Sequence, residues 1–259
     1  MSIPLNRGAE GKYSQSPRSN GLNQGRSQKL GYDDPLAYLL QKRVEEYTRQ
    51  QIIYSPGAPC NRLYLVSWGR VAVFGVKGEG RQAVTRIVGQ GGLFGESALV
   101  LPGERQEMAV ALDKTGLMSW TRDEVDAQIE RDPRLGLALA QYLARQCVDL
   151  NIRLESHIIH KTPERVMLAL IELAESLGTP REDGALRMPH LTHQTIAQYV
   201  GTSREIVTFQ MTRLRRLKLL KYNRAFADVY TGAMVEMLRS QGISASASRS
   251  PQAASQATP

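Results

Sequence analysis

Arg204 and Glu205 stand side by side directly after Ser203, and Thr208, Phe209 and Thr212 follow within the next two helical turns of sequence. A guanidinium can donate to the O6/N7 edge of guanine, and a carboxylate can accept from cytosine N4. Hydroxyls such as those of Thr192 and Ser203 can hold phosphate oxygens together with free helix amides. These residue types point to recognition of nucleic acid rather than to bond-making. No Ser/His/Asp, Cys/His or metal-spaced set accompanies them, so no enzyme activity is expected. His157 and His160 lie three apart, but no carboxylate or cysteine completes a metal site with them. His190 and His193 flank a helix start, where capping or phosphate contact is the expected use.

The surrounding pattern predicts the elements that would position this set. Thr192 can cap a helix carrying Ile196, Tyr199 and Val200, with Ala197 small enough for a close helix crossing. Gly201 breaks that helix and Ser203 caps a second, which is expected to turn Ile206, Val207, Met211 and Leu214 inward. Two short helices joined at Gly201 make a helix-turn-helix. The exposed face of the second then holds Arg204, Glu205, Thr208, Phe209 and Thr212, with Arg213, Arg215 and Arg216 farther along for backbone or partner contacts. LLKYN…DVY can form a β-hairpin wing. From Arg187 to Arg224 there are eight basic residues and one acidic, Glu205, in a chain of 259 residues with net charge +8. Such a balance suits a double-stranded DNA partner.

Upstream, QIIYS, LYLVSW, RVAVFGV, AVTRIV, EMAVAL and LMSW are short β-rich runs separated by glycine and proline turns, which predicts a sandwich or jelly-roll barrel over about 50–121. Asp34 before Pro35, with Leu36, Leu39, Leu40 and Val44 behind them, predicts a short helix within 33–48. Pro133 opens a long helical pattern in which Leu139, Leu143, Cys147, Leu150, Leu154 and Ile158 form a 4-4-3-4-4 stripe, the seam of a homodimer. Two cysteines, Cys60 and Cys147, exclude a disulfide scaffold and a four-cysteine metal or iron–sulfur site within one chain. With no apolar run near membrane-spanning length and no apolar stretch at the N-terminus, a cytoplasmic protein without a membrane partner is expected. The expected division is a disordered basic arm (1–31), a barrel domain (32–132), a dimerisation helix (133–160), a DNA-binding domain (161–240) and a disordered tail (241–259).

Three motifs in order resemble the cyclic-AMP receptor protein / fumarate–nitrate regulator (CRP/FNR) family of bacterial transcription factors, over about residues 36–232. YSPGAPCNRLYLVSWGRVAVF is similar to the family's early strands, with Gly57, Leu63, Tyr64 and Gly69 in place. GQGGLFGESALVLPGERQEMAVAL resembles its phosphate-binding cassette, with Gly95, Glu96 and Arg105 at the family spacing. THQTIAQYVGTSREIVTFQMTRL resembles its helix-turn-helix. The resemblance implies an α+β chain: an N-terminal jelly-roll sensor domain of the cyclic-nucleotide-binding type, a long dimerisation helix and a C-terminal winged helix-turn-helix. It implies a homodimeric regulator that binds duplex DNA, and RNA polymerase as a further partner if the protein is an activator, with Thr179 to Pro189 as the polar turn available for that contact.

The resemblance also implies an effector site at Gly95, Glu96, Ser97, Arg105 and Gln106. In nucleotide-binding members the glutamate holds the ribose 2′-hydroxyl, and the arginine with a following Ser or Thr holds the cyclic phosphate. Here Gln106 and Glu107 follow Arg105, Gly92 replaces a usual aspartate, and Leu150 and Asn151 stand where cyclic-AMP responders carry hydroxyls. A cyclic nucleotide, cyclic di-GMP or no effector at all are the readings left open. Glu96 can alternatively shape the turn, and Arg105 can pair with Glu104 or Glu107. Iron–sulfur and haem sensing are not expected: the cysteines are too few, and every histidine lies at or beyond the end of the long helix. A 2-oxoglutarate site would use a long-helix arginine where Gln146 stands, beside Arg145. Phe209 replaces an arginine that reads base edges in the family, so it contacts a thymine methyl or packs inward.

Overall fold

The computed structural model of the chain describes residues 34–77, 81–100 and 103–243; the arm expected over 1–31 and the tail beyond 243 lie outside these. Eight strands build the first half: β1 (Glu45–Tyr47), β2 (Ile52–Tyr54), β3 (Arg62–Trp68), β4 (Val71–Lys77), β5 (Arg81–Val88), β6 (Leu93–Phe94), β7 (Glu107–Ala111) and β8 (Thr115–Thr121). They form two antiparallel sheets, ordered β1-β8-β3-β6 and β2-β7-β4-β5.

Side chains alternate across each strand, and both faces of both sheets find cover. Val71 and Val73 of β4 meet Val66, Phe94 and Leu117 between the sheets. Leu63 and Leu65 of β3 point to the outer side with Trp120, under Val125 of helix α1 (Arg122–Arg131) and Leu135 and Leu139 of helix α2 (Arg134–Ile159). Thr121 caps α1 in a reciprocal capping box with Glu124. Asp132, held in an extended conformation before Pro133, separates α1 from α2.

The helix expected within 33–48 does not form. Asp34 does cap the start, accepting from the Leu36 amide at 3.0 Å, but only a single 3-10 turn follows, Pro35–Ala37. The backbone groups needed for further turns serve the barrel instead. The Leu40 amide donates to Gln128 Oε1 at 2.7 Å, and its carbonyl accepts from Trp120 Nε1 at 2.9 Å. Glu45–Tyr47 then pairs with β8 as a strand. Tertiary hydrogen bonds outweigh a marginal local helix preference.

The second half runs α3 (Thr162–Leu177), β9 (Thr179–Pro180), β10 (Leu186–Pro189), α4 (His193–Val200), α5 (Arg204–Arg216), β11 (Leu220–Tyr222), β12 (Phe226–Val229) and α6 (Thr231–Ser240). Its sheet is ordered β11-β12-β10-β9, with β11 and β12 forming the expected wing. Helix α6 closes the domain beyond the wing. It buries Met234, Val235 and Leu238, and Ile243 beyond it joins the same core, so the expected tail cannot begin at 241. Gly242, at φ +77°, lets the Ile243 amide reach back to the Leu238 carbonyl and close the helix.

One apolar cluster joins the halves. Ala72, Phe74, Val84 and Ile87 on the outer face of the β4–β5 sheet pack with Leu170, Ile196 and Val200. Arg70, in the β3–β4 turn, adds a buried polar clasp. Its guanidinium takes Asp113 at 2.6 and 2.9 Å and donates to the Pro189 carbonyl at 3.1 Å, just before α4. The barrel therefore fixes where the helix-turn-helix begins.

Candidate nucleic-acid interface and effector site

Local capping builds the helix-turn-helix. Thr192 Oγ1 accepts from the Thr195 amide at 3.0 Å to start α4. Gly201, at φ +70°, ends α4 in the left-handed conformation that a side-chain-bearing residue adopts only with strain. Ser203 Oγ then accepts from the Ile206 amide at 3.3 Å to start α5. Helix α5 is seated by Val207, Gln210, Met211 and Leu214. Ala197 is buried at the crossing.

Of the residues expected on the outer face, Thr192, Ser203, Arg204, Glu205, Thr208 and Phe209 are exposed and Thr212 is half-buried. Ile206 corrects the expectation that it turns inward: it is 41% exposed, because the buried arc of α5 runs through Gln210 instead. Thr208 Oγ1 donates to the Arg204 carbonyl at 2.8 Å, and Thr212 Oγ1 to the Thr208 carbonyl at 2.9 Å. Their hydroxyl protons are thus used by the helix, and their lone pairs remain for a donor. His193 Nδ1 lies 2.8 Å from Thr208 Oγ1 and shares a hydrogen bond with it. Burial first, then the nearby His190 and Arg204, lowers the His193 pKa and favours the neutral ring. The Glu205 pKa is lowered by hydrogen bonds from its own amide and from Ser203, so the carboxylate stays an acceptor.

The basic cluster divides. Arg213, Arg215 and Arg216 are exposed in the last turns of α5. Arg187 is committed to Asp228 through two bonds of 2.6 and 2.7 Å and lies over the Phe226 ring. Its charge is spent inside the domain.

In the barrel, Gly95 adopts φ +78° and caps the 3-10 turn Glu96–Leu99. A Cβ there would meet the Arg62 carbonyl at 3.0 Å and the Arg105 guanidinium at 3.2 Å. Arg105 is 1% exposed. It donates to the Gly95 carbonyl at 3.0 Å, to Ser97 Oγ at 2.9 Å and to the Arg62 carbonyl, and it lies under the Tyr54 ring at 4.3 Å. Its Nε is buried without a partner among the described residues. The anticipated Glu104 or Glu107 pairing is reduced to a 4.0 Å approach by Glu107, whose carboxylate accepts from Tyr54 at 2.7 Å. Burial first, and Glu107 second, keeps that phenol protonated by raising its pKa. Gln106 is exposed, and among the described residues it reaches the Glu104 carbonyl.

Sequence reasoning missed Arg86. It binds Glu96 at 2.9 Å, Gln146 of α2 at 3.2 Å and the Leu93 carbonyl at 3.2 Å. Burial opposes the Arg86 charge, but Glu96, followed by Tyr142, outweighs it and leaves the pKa raised. Tyr142 Oη bonds both the amide and the carbonyl of Leu93 at 3.0 Å. The cassette is therefore wired to the long helix. Only the ten-residue interval between Arg86 and Glu96 could have hinted at this pairing.

On α2, Cys147, Leu150 and Leu154 are exposed and Leu143 is half-buried. Leu139 departs from the expected seam: it is 5% exposed and belongs to the barrel's outer core. The stripe free to meet another helix thus begins after the first two turns. Among the described residues no helix is long and apolar enough to cross a membrane, and no cluster of metal-ligating side chains occurs.

Comparison with known proteins agrees with this anatomy. The pattern of the cyclic nucleotide-binding domain matches residues 44–132, and that of the Crp-like helix-turn-helix domain matches 164–228. The chain is 34% identical over 168 residues to a CRP-like cAMP-activated global transcriptional regulator of Mycobacterium tuberculosis, covering 64% of this chain and 75% of the relative. It is 30% identical over 205 residues to the cyclic AMP receptor protein of Thermus thermophilus, covering 79% and 90%. A crystal structure of a CRP/FNR-family transcriptional regulator from Thermus thermophilus superposes with a TM-score of 0.61 at 28% identity, over 76% of this chain and 98% of that one.

Proposed function

The chain belongs to the CRP/FNR family of transcription factors, and on that premise we propose that it works as a twofold pair, joined along α2, that reads duplex DNA with α5. One observation carries the reading. The outward face of α5 offers Arg204 and Glu205 in its first turn, while the opposite face is locked into the domain. A recognition helix presents its first turns to base edges in the major groove. Thr192 and Ser203, at the starts of α4 and α5, are assigned phosphate contacts. Arg213, Arg215 and Arg216 supply charge for the backbone or for a partner. If the protein activates transcription, the exposed turn between β9 and β10 is the surface assigned to RNA polymerase.

Binding that rests on phosphate neutralisation must weaken steeply with salt. Retention of a random duplex is expected to fall on the order of a thousandfold between about 50 and 200 mM salt. Fluorescence anisotropy at the two concentrations measures this. Equal affinity at both removes the nucleic-acid reading.

For the barrel we propose a cyclic nucleotide, cyclic di-GMP included, as the effector class, a choice supported by the cAMP-activated relative. The donor chemistry fits: Glu96 can accept from a sugar hydroxyl, and Arg105 with Ser97 can donate to a phosphate. Arg105 Nε, buried and without a partner among the described residues, is a spare donor at that point. A bound nucleotide would compete with Arg86 for Glu96 and with backbone carbonyls for Arg105. Because Arg86 also holds Gln146, that competition is felt on the long helix. A second reading, a barrel that works without effector, is favoured by the sealing of Arg105 under Tyr54. Calorimetry against cyclic AMP, cyclic GMP, cyclic di-GMP and 2-oxoglutarate separates them. Heat from a cyclic nucleotide that disappears in Glu96→Gln supports the first. No heat from any of the four leaves the second.

A further inference from the structure

Phe209 is 67% exposed, and Ile206, one turn before it, is 41% exposed. Both lie on the helix proposed above to enter DNA. At 100° per residue, Glu205, Phe209, Thr212 and Arg216 fall on one line, opposite the buried Val207, Gln210, Met211 and Leu214. A phenyl ring therefore stands in the middle of a line otherwise made of an ionised carboxylate, a hydroxyl and a guanidinium. Neither helix packing nor the domain core accounts for it. A ring turned inward is excluded by its exposure.

We infer that Phe209 is a specificity-determining residue that selects thymine in each half-site through contact with the C5-methyl group. This deepens the DNA-binding reading and rests on it. In the major groove every base-pair edge presents hydrogen-bonding atoms that a phenyl ring cannot satisfy, except the thymine methyl, which it can bury. Cytosine carries hydrogen at C5 in place of the methyl, so the ring would find no apolar group to bury there. Glu205, one turn earlier, accepts from a cytosine N4. Four residues along a helix advance about 6 Å, so the selected thymine lies within about two base steps of that cytosine. The helix carries no second base-reading arginine at Phe209, and so the half-site need not hold a guanine there.

The test uses the full chain and its best duplex from a randomised pool. Each thymine is replaced in turn by uracil, which removes only the methyl. The expected result is one thymine per half-site whose replacement weakens wild-type binding about fourfold, the worth of one buried methyl-sized group, or roughly fifteenfold when both half-sites are changed. Phe209→Ala should bind the thymine and uracil duplexes equally, and 5-methylcytosine at that position should bind wild type better than cytosine. Phe209→Arg should move the preference there towards guanine. Because Phe209 is exposed, its variants keep the wild-type melting curve, which is the control for folding. A flat uracil scan, or a uracil penalty that survives in Phe209→Ala, overturns the inference while leaving a DNA-binding protein. Retention of no duplex by wild type overturns both.

Discussion

Replacing Leu150 and Leu154 together by aspartate is expected to yield a folded single chain that holds an inverted-repeat duplex at least about a hundredfold more weakly than wild type. The two leucines are 53% and 60% exposed and belong to none of the three apolar cores, so their loss removes no packing within the chain. Surface changes of this kind alter stability by only about 0.5 kcal/mol. The effect falls on association. In this helix of 26 residues, about 39 Å long, the buried residues are Leu135, Ala138 and Leu139, near its start. Beyond them Leu150, Leu154 and Ile158 form one exposed line, and Val148, Ile152 and Ile159 a second. Carboxylates in a helix–helix seam would be desolvated and set against their symmetry mates, which is costly. A pair that binds two half-sites gains on the order of a hundred- to ten-thousandfold over a single domain by effective concentration, and the monomer forfeits it. Sedimentation equilibrium and anisotropy on the same sample read both quantities. A two-chain mass with undiminished retention would remove α2 as the seam.

The second large effect is expected at Arg204. Substitution by alanine should cost about 1–3 kcal/mol per half-site and abolish the preference at a single base pair while leaving the others. Arg204 is exposed and enters no ion pair among the described residues, so its removal leaves no buried charge behind. The loss is then one of readout, not of folding. Arg213→Ala, by contrast, should weaken all duplexes alike, since a phosphate contact carries no sequence information.

Much of this was legible in the chain itself. Thr192, Gly201 and Ser203 announce the helix-turn-helix because capping and a left-handed turn are local physics, set by a few adjacent residues. The strands were legible because short runs of β-forming residues stand between glycine and proline turns. What was not legible depends on partners distant in sequence. Asp34 and Pro35 signal a helix correctly, but Trp120 and Gln128 take the backbone groups of Leu40 and stop it. Leu139 reads as part of the dimer stripe, yet the barrel's outer core claims it. Residue type predicts Ile206 inside; the domain seats α5 by its Gln210 side and leaves Ile206 partly out. The cassette's Gly95, Glu96 and Arg105 were found at their motif spacing, but not the side chains that occupy them. Arg86, Tyr54 and Tyr142 are ordinary strand and helix residues until the fold brings them to that point. Arg70 likewise gains its meaning only beside Asp113 and Pro189.

The central claim is that two copies of α5, related by a twofold axis, insert Arg204 and Glu205 among base edges. Selection from a pool of randomised duplexes, run in parallel for wild type and Arg204→Ala, tests it most directly. The expected wild-type product is an inverted repeat whose half-sites lie about one helical turn, roughly 34 Å, apart; the Arg204→Ala product should be the same repeat with one symmetric position made random. An unenriched wild-type pool, or an identical consensus from both proteins, would contradict the claim.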